Sequence, residues 1–378
     1  MRQTALLPEL CTAPAVFVVG RSYQIMVPVK SDLLFWIRIG SRDFYDHSNG
    51  IIRSATRIHR VTVPMALLDE AGEYTVCYRK ITERKPYFTT TQEPVSCTYP
   101  FHPIPEDRPL RIYHLSDTHG NYDLSASAGS YWGDRLDLLI LNGDIIDHSG
   151  DLQNFNLIYE LADTLTGGSI PCIYSRGNHD TRGFYAEKIE EYTPNQNGHT
   201  YFTFRLGPIW GIILDCGEDK PDDHAEYGNT VCCHQFRLEE TEYLEQVIRN
   251  ADQEYLAEGV KYRFVIVHAP FTYTKYAPFD IEEELFRNWL HLLKENVAPQ
   301  VFLSGHLHLN AVSPAGGPLD CKGQICPVVI SGQPVFDENR NRTDHIGAAM
   351  VLDGDRLEVS FTDSKKQVLE QHTVILEP

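Results

Sequence analysis

The chain opens with short alternating segments: YQIMVPV from Tyr23, LLFWIRI from Leu33, RIHRVTV from Arg57 and EYTVCYR from Glu73. Apolar and polar positions alternate with a period of two, turn residues recur, and no long stretch has helical spacing, which predicts a small antiparallel β-sandwich. A proline-rich segment, YPFHPIPEDRP, runs from Tyr99 to Pro109. Prolines at that density disfavour both helix and central strand. The expected division is therefore an all-β accessory unit over 1–104 and a second domain over 105–378.

Beyond that point the pattern changes. RIYHLSD, LLILNGD, IPCIYSRGN, WGIILDCG, FVIVHAP, VFLSGH and VVISG are apolar runs that end in polar residues. They read as buried strands. Between them lie amphipathic stretches: Leu152, Phe155, Ile158, Leu161 and Leu165 at i+3/i+4 spacing with Gly167 beyond, and Ile281, Leu285, Trp289 and Leu293. Alternation of this kind predicts an α/β sandwich around a parallel or mixed sheet. AMVLDGDRLEVSF and VLEQHTVIL close the chain as terminal strands.

Composition removes several function classes. The 378 residues carry Lys+Arg 33 against Asp+Glu 52, a net charge of −19. That balance argues against a protein whose main task is to grip phosphate backbones, so nucleic acid is not the expected partner. No apolar run exceeds five residues, whereas a membrane span needs about 20. The opening MRQTALLPELC, cut by Pro8 and Glu9, makes a poor secretory segment, and a cytoplasmic location is expected. Nine scattered cysteines fit reduced thiols better than a disulfide framework. Neither Cys232-Cys233 nor the pair Cys321 and Cys326 has a second ligand pair at zinc spacing.

Five short strings stand where the expected strands end: DTH (Asp117, His119), GD (Asp144), GNHD (Asn178, His179, Asp180), His268 in VIVHAP, and GHLH (His306, His308). In open α/β sheets, reactive groups gather beyond the carboxyl ends of the strands, so these strings should converge. Imidazoles, carboxylates and one amide oxygen make an N/O donor set suited to zinc, iron, manganese or cobalt. The i, i+2 spacing of Asp117/His119 and of His306/His308 would place each pair on one side of an extended strand.

The order DxH, GD, GNHD, H, GHxH resembles the calcineurin-like metallophosphoesterase superfamily, and the resemblance covers the whole second domain. It implies an α/β metallophosphoesterase sandwich and two divalent ions. Asp117, His119, Asp144 and His308 would hold one, and Asp144, Asn178, His268 and His306 the other, with Asp144 shared. The front unit, in which Tyr74 would tie down a corner, resembles a fibronectin- or immunoglobulin-type domain. With the closing strands it is similar to bacterial members built like purple acid phosphatases. Those enzymes carry a Tyr ligand three residues after the shared Asp, where this chain has Asp147. The string order is equally similar to the class III cyclic nucleotide phosphodiesterases.

The resemblance also makes His179 the candidate general acid, with Asp180 orienting its imidazole, and a shared metal-bridging hydroxide the attacking group. Arg182 is a candidate phosphate contact, because a guanidinium can bind phosphate oxygens in bidentate fashion. Residues 218–234 lack periodicity and are expected to form a loop over the site. His114, His148, His199, His224 and His234 are expected to be structural, with His148, next to Asp147, the first exception to consider. The expectation is a phosphoesterase acting on a small phosphoester, with a lean to diesters because no cation cluster awaits a dianion. The rivals are a phosphomonoesterase or protein phosphatase on the same site, an inactive scaffold, and a nuclease, which the charge disfavours.

Overall fold

The computed structural model describes residues 6–273 and 276–377. Its centre is a ten-stranded sheet with the order Val368–Ile375, Arg356–Thr362, Arg342–Asp353, Leu110–Leu115, Leu138–Asn142, Pro171–Ser175, Ala15–Val19, Ser22–Pro28 and Ile58–Pro64, plus Gln333–Phe336 paired to Arg342–Asp353. From Leu110–Leu115 to Ala15–Val19 the neighbours run parallel. A six-stranded sheet faces it, ordered Phe202–Leu206, Ile209–Leu214, Tyr262–Val267, Val301–Ser304, Val328–Ile330 and Ala311–Ser313.

Side-chain alternation sorts the apolar residues into three layers. Val16, Ile112, Ile140 and Ile173 of the large sheet meet Ile213, Ile266 and Leu303 of the other between the two sheets. The opposite faces of the same strands, such as Phe17, Leu115 and Leu141, pack under the helix Asn156–Thr166. Val265, Val267 and Phe302 pack under Cys233–Arg249 and Glu283–Leu292. Strands buried on both faces read as continuous apolar runs, which is why these segments do not alternate. The fold is therefore sheets flanked by helices, as expected.

The helix expected from Leu152 starts as a 3-10 turn, Leu152–Phe155, in which Asp151 accepts from the Gln153 N–H. It continues as Asn156–Thr166 and stops at Gly167, whose φ of 58° lets its N–H return to the Asp163 carbonyl at 2.7 Å. The expected Ile281–Leu293 helix is Glu283–Leu292, extended by one π turn. The two closing segments pair antiparallel at the edge of the large sheet. Among the described residues no helix is long and apolar enough to cross a membrane.

The division expected at residue 104 does not coincide with a sheet boundary. Apart from the short helix Met65–Ala71, the regular elements before it are all strands, and Val95–Pro100, Glu73–Glu83, Leu33–Ile39 and Arg42–Tyr45 form their own antiparallel sheet. Ala15–Val19, Ser22–Pro28 and Ile58–Pro64, however, belong to the large sheet, joined where Val16 pairs with Pro171 and Phe17 with Cys172. The cause is the run AVFVV, buried at every position. Such a segment needs an interior place with cover on both faces. The small sheet then covers the extension, with Phe35 and Val76 packing in one layer with Ile25 and Val61. Tyr74 does not close a local corner: its hydroxyl donates to the Gly168 carbonyl at 2.8 Å, just beyond the Asn156–Thr166 helix.

Candidate metal centre

Every sequence-expected ligand lies just past the carboxyl end of a strand. Asp117 and His119 follow Leu110–Leu115, Asp144 follows Leu138–Asn142, and Asn178 follows Pro171–Ser175. His268 follows Tyr262–Val267, and His306 and His308 follow Val301–Ser304. The pairs converge for a different reason from the one expected. Asp117, His119, His306 and His308 have φ of 54°, 44°, 68° and 51°, and Asp144 has 51°, so tight left-handed turns rather than an extended pleat aim them inward. Each such non-glycine residue costs about 1–3 kcal/mol, and conformations of this kind concentrate at functional sites.

Two clusters result. Asp117, His119 and His308 offer donor atoms within 4.8 Å of one another, and so do Asp144, His268 and His306. Asn178 joins the second through its Oδ1, 2.9 Å from His306 Nδ1. Asp144 lies between them: its Oδ2 is 3.2 Å from His268 Nε2 and 3.9 Å from His119 Nε2. The Nε2 atoms of His119 and His308 are 2.9 Å apart.

The surrounding backbone fixes these groups. Asp144 Oδ1 accepts from the His179 N–H at 2.8 Å, leaving Oδ2 to face the cluster. Asp117 accepts from Ser116 Oγ at 2.5 Å and from the His306 N–H at 2.9 Å. His268 Nδ1–H donates to the Asn142 carbonyl at 2.7 Å, which turns Nε2 inward toward Asp144 Oδ2. Two glycines make room: a Cβ on Gly143 would lie 2.5 Å from His268 Cγ, and one on Gly177 would lie 2.1 Å from Asp144 Oδ1.

Electrostatics follow from this crowding. Burial disfavours a charged His268, but the carboxylates of Asp144 and Asp117 outweigh it and hold the imidazole up at about 10. Burial likewise works against the charged carboxyls of Asp144 and Asp117, and His268 beside them keeps both below the usual range. His119 is pushed down to about 4 by burial, against the pull of Asp144, and burial with the nearby His268 lowers His306. Buried imidazoles and carboxylates converging on one another in this way make a donor set that a cation can occupy. The donor set fits divalent metal.

The neighbours differ from expectation in two places. Asp180 does not touch the imidazole of His179: its carboxylate accepts from the N–H groups of Gly177 at 2.7 Å and Asp144 at 3.2 Å, tying two site loops together. Burial, reinforced by Asp144, raises it to about 7. The His179 ring is held instead by the Asp147 carbonyl, which accepts from Nδ1–H at 2.8 Å. Arg182 reaches the site, but its fork is taken by buried Glu218 at 2.8 and 3.0 Å, and its Nη1 lies 3.0 Å from His179 Nε2. Arg176 is paired with Asp215 at 2.6 Å and is structural.

Sequence reasoning missed Asp147, Glu218 and Asp219 as site groups. Asp147 Oδ1 is 3.6 Å from Nδ1 of both His119 and His179, and Asp219 Oδ2 is 3.5 Å from His306 Nε2. Glu218 and Asp219 follow the apolar run WGIIL, so their strand-end position was the available signal. They and Lys220 line a cavity of about 400 Å³ that opens beside Asp144, Asn178 and His306. His148 instead accepts from the Gly150 N–H in a turn, and His114 is buried against Asn142. Among the described residues, no group able to hold a metal includes a cysteine.

The comparisons agree with this geometry. The family model for calcineurin-like phosphoesterases matches residues 110–310. Purple acid phosphatase PPD1 from yellow lupin (Lupinus luteus) seeds superposes with a TM-score of 0.60 at 12% identity, covering 96% of this chain and 74% of that one. A structure of PhoD gives 0.51 at 12% identity, covering 96% and 88%. At such identities the likeness is one of fold. No curated protein matches the chain. With a family match spanning more than half its length and carrying the clustered Asp, Asn and His side chains, the chain belongs to the calcineurin-like phosphoesterases, metal-dependent hydrolases of phosphoesters.

Proposed function

We propose that this protein is a phosphodiesterase working with two divalent cations. Asp117, His119, Asp144 and His308 would hold one, and Asp144, Asn178, His268 and His306 the other. When bound, the pair supplies a water of lowered pKa and a clamp for the phosphoryl oxygens. Asp144, with Oδ1 fixed by the His179 N–H, presents Oδ2 to both positions.

The residues around them handle the leaving group. His179 donates its Nδ1–H to Asp147, so Nε2 faces the cavity and can carry a proton to the departing oxygen. Glu218 holds Arg182 beside it at 2.8 Å. Arg182 Nη1, 3.0 Å from His179 Nε2, adds a donor for charge developing on phosphorus oxygens.

The observation that carries the diester reading is charge pairing. Arg182, Lys220 and Lys322 are the Lys and Arg side chains lining the cavity among the described residues. Arg182 is held by Glu218, Lys220 by Glu226 at 2.8 Å, and Lys322 by Glu283. Among the described residues each lining cation is thus matched by a carboxylate, which leaves little net positive charge for the second charge of a monoester and suits a monoanionic diester. The test is metal content by mass spectrometry together with turnover of bis(p-nitrophenyl) phosphate and p-nitrophenyl phosphate under added manganese, zinc, iron and cobalt. Two ions per chain with faster diester turnover supports the reading; preferential monoester cleavage overturns it in favour of a phosphomonoesterase.

A further inference from the structure

The cavity has two unlike sides. One is the cluster of metal-binding side chains with His179 and Arg182. The other is formed by Phe271 and Tyr273, beyond the Tyr262–Val267 strand, with Tyr276, Phe279 and Ile281, ahead of the Glu283–Leu292 helix.

That side is rigid from behind. Phe271 stacks on Phe286 at 5.3 Å and meets Trp289 edge-on at 5.5 Å, and all three rings are buried. In front, the Phe279 ring carries the Lys220 ammonium 5.4 Å from its centroid and is met edge-on by Tyr276 at 6.1 Å. Tyr276 is 61% exposed. Aromatic rings at the mouth of a reactive centre, Tyr276 most exposed among them, are a surface that a ligand can cover, and rings pack on one another by faces and edges.

We infer that the phosphoester taken by this site carries a planar aromatic group seated on the wall of Phe279, Tyr276 and Tyr273, and that this wall selects among phosphoesters. The inference rests on the hydrolase reading above and adds the class of organic group. A volume of about 400 Å³ is at the lower end of the range for small-molecule sites and suits a phenol- or nucleoside-sized group rather than a diacyl lipid.

The experiment uses analogues whose organic group is joined to phosphorus by a P–C bond, so that recognition of that group is read apart from its release. Monomethyl esters of methyl-, cyclohexyl- and phenylphosphonate are titrated calorimetrically into the manganese-loaded protein. The phenyl compound is expected to bind about tenfold more tightly than the methyl one, with cyclohexyl between them. Phe279→Ala should collapse that ratio toward one, and Tyr276→Ala at the exposed mouth gives the same reading if Phe279→Ala misfolds. Equal binding of the methyl and phenyl esters, or a phenyl preference that survives both substitutions, overturns the inference. An adenosine methylphosphonate arm separates the sources: binding tighter than phenyl points to a nucleoside, weaker to a phenolic ester, and either outcome retains the aromatic requirement. Failure of the diester reading looks different, because dianionic phenylphosphonate would then outbind its monomethyl ester while the phenyl-to-methyl preference persisted.

Discussion

Arg342 donates to the backbone carbonyl of Asp117 at 3.3 Å and to that of Thr118 at 2.5 Å, reaching back 225 and 224 residues along the chain. It stands at the start of the Arg342–Asp353 strand, beyond the 110–310 span of the family match. Its half-buried guanidinium bridges the two carbonyls of the loop in which Asp117 and His119 both adopt positive φ. A rigid fork spanning two acceptors is something an ammonium cannot reproduce. Arg342 is thus a positioning residue for the ligand loop.

Arg342→Ala should therefore lower metal affinity by about 10- to 100-fold, the usual cost of losing a group that orients ligands. Arg342→Lys should recover only part of it. Competition against a chromophoric chelator, with circular dichroism to confirm the fold, checks this directly. An unaltered affinity in Arg342→Ala would remove the positioning role.

Gly177 lies against the shared carboxylate so closely that an added Cβ would sit 2.1 Å from Asp144 Oδ1 and 2.4 Å from its nitrogen. Neither atom is the end of a flexible side chain, because Oδ1 is pinned by the His179 N–H and the nitrogen by Asp180. Gly177→Ala should displace Asp144 by a sizeable fraction of an ångström and reduce turnover roughly a hundredfold, with far-ultraviolet dichroism retained. Steady-state kinetics on the diester substrate would show it, and near-normal turnover would mean that the loop has slack.

What the sequence revealed and what it hid divide along sequence distance. Asp144, His268 and the paired ligands were legible because each ends an apolar run, and the strand-end rule places them together without any knowledge of packing. The turn geometry was not legible: nothing in DTH or GHLH announces positive φ at non-glycine residues. Asp180 was misjudged because adjacency to His179 suggested a contact, whereas its carboxylate caps the backbone of two loops. The sheet pairing around residue 104 was hidden for a similar reason. The proline-rich segment does lack regular structure over 101–109, but AVFVV before it, buried at every position, carried the signature of an interior strand and pairs with Pro171–Ser175. Arg342 and Glu218 act through contacts fixed only by the tertiary fold.

That continuity of the large sheet has an energetic consequence at Tyr74. Its hydroxyl is fully buried and donates to the Gly168 carbonyl, tying the small antiparallel sheet to the turn after the Asn156–Thr166 helix. Tyr74→Phe keeps the ring and its stacking on Tyr99 at 5.6 Å but leaves that carbonyl without its donor. The expected loss is about 1–2 kcal/mol of unfolding free energy, measured by urea denaturation. A loss of cooperativity would indicate that the small sheet unfolds separately, whereas a parallel shift of the whole transition is expected from a shared sheet.

His345 should leave a signature in the acid stability of the protein. Its ring is fully buried, with Nδ1 against the Arg342 guanidinium and Nε2 without a partner. Burial, with the charge of Arg342 second, pushes it down to about 3 from an ordinary value of 6.5. The folded protein thus keeps this imidazole neutral where the unfolded chain protonates it. Between those two values the unfolded state binds more protons, so stability falls as the pH drops below 6.5 and goes on falling toward 3, while above 6.5 the group contributes no slope. His345→Asn removes the titrating ring but keeps an acceptor for Arg342. In the metal-free protein, its plot of unfolding free energy against pH should be shallower than wild type between about pH 6 and 4, by up to about 1.4 kcal/mol per pH unit, the linkage of one proton. Ligand histidines titrate in both proteins and cancel in the comparison. Superimposable slopes in that window would mean that His345 gains its proton in the folded state as readily as in the unfolded chain, and that the Arg342 guanidinium does not hold it neutral.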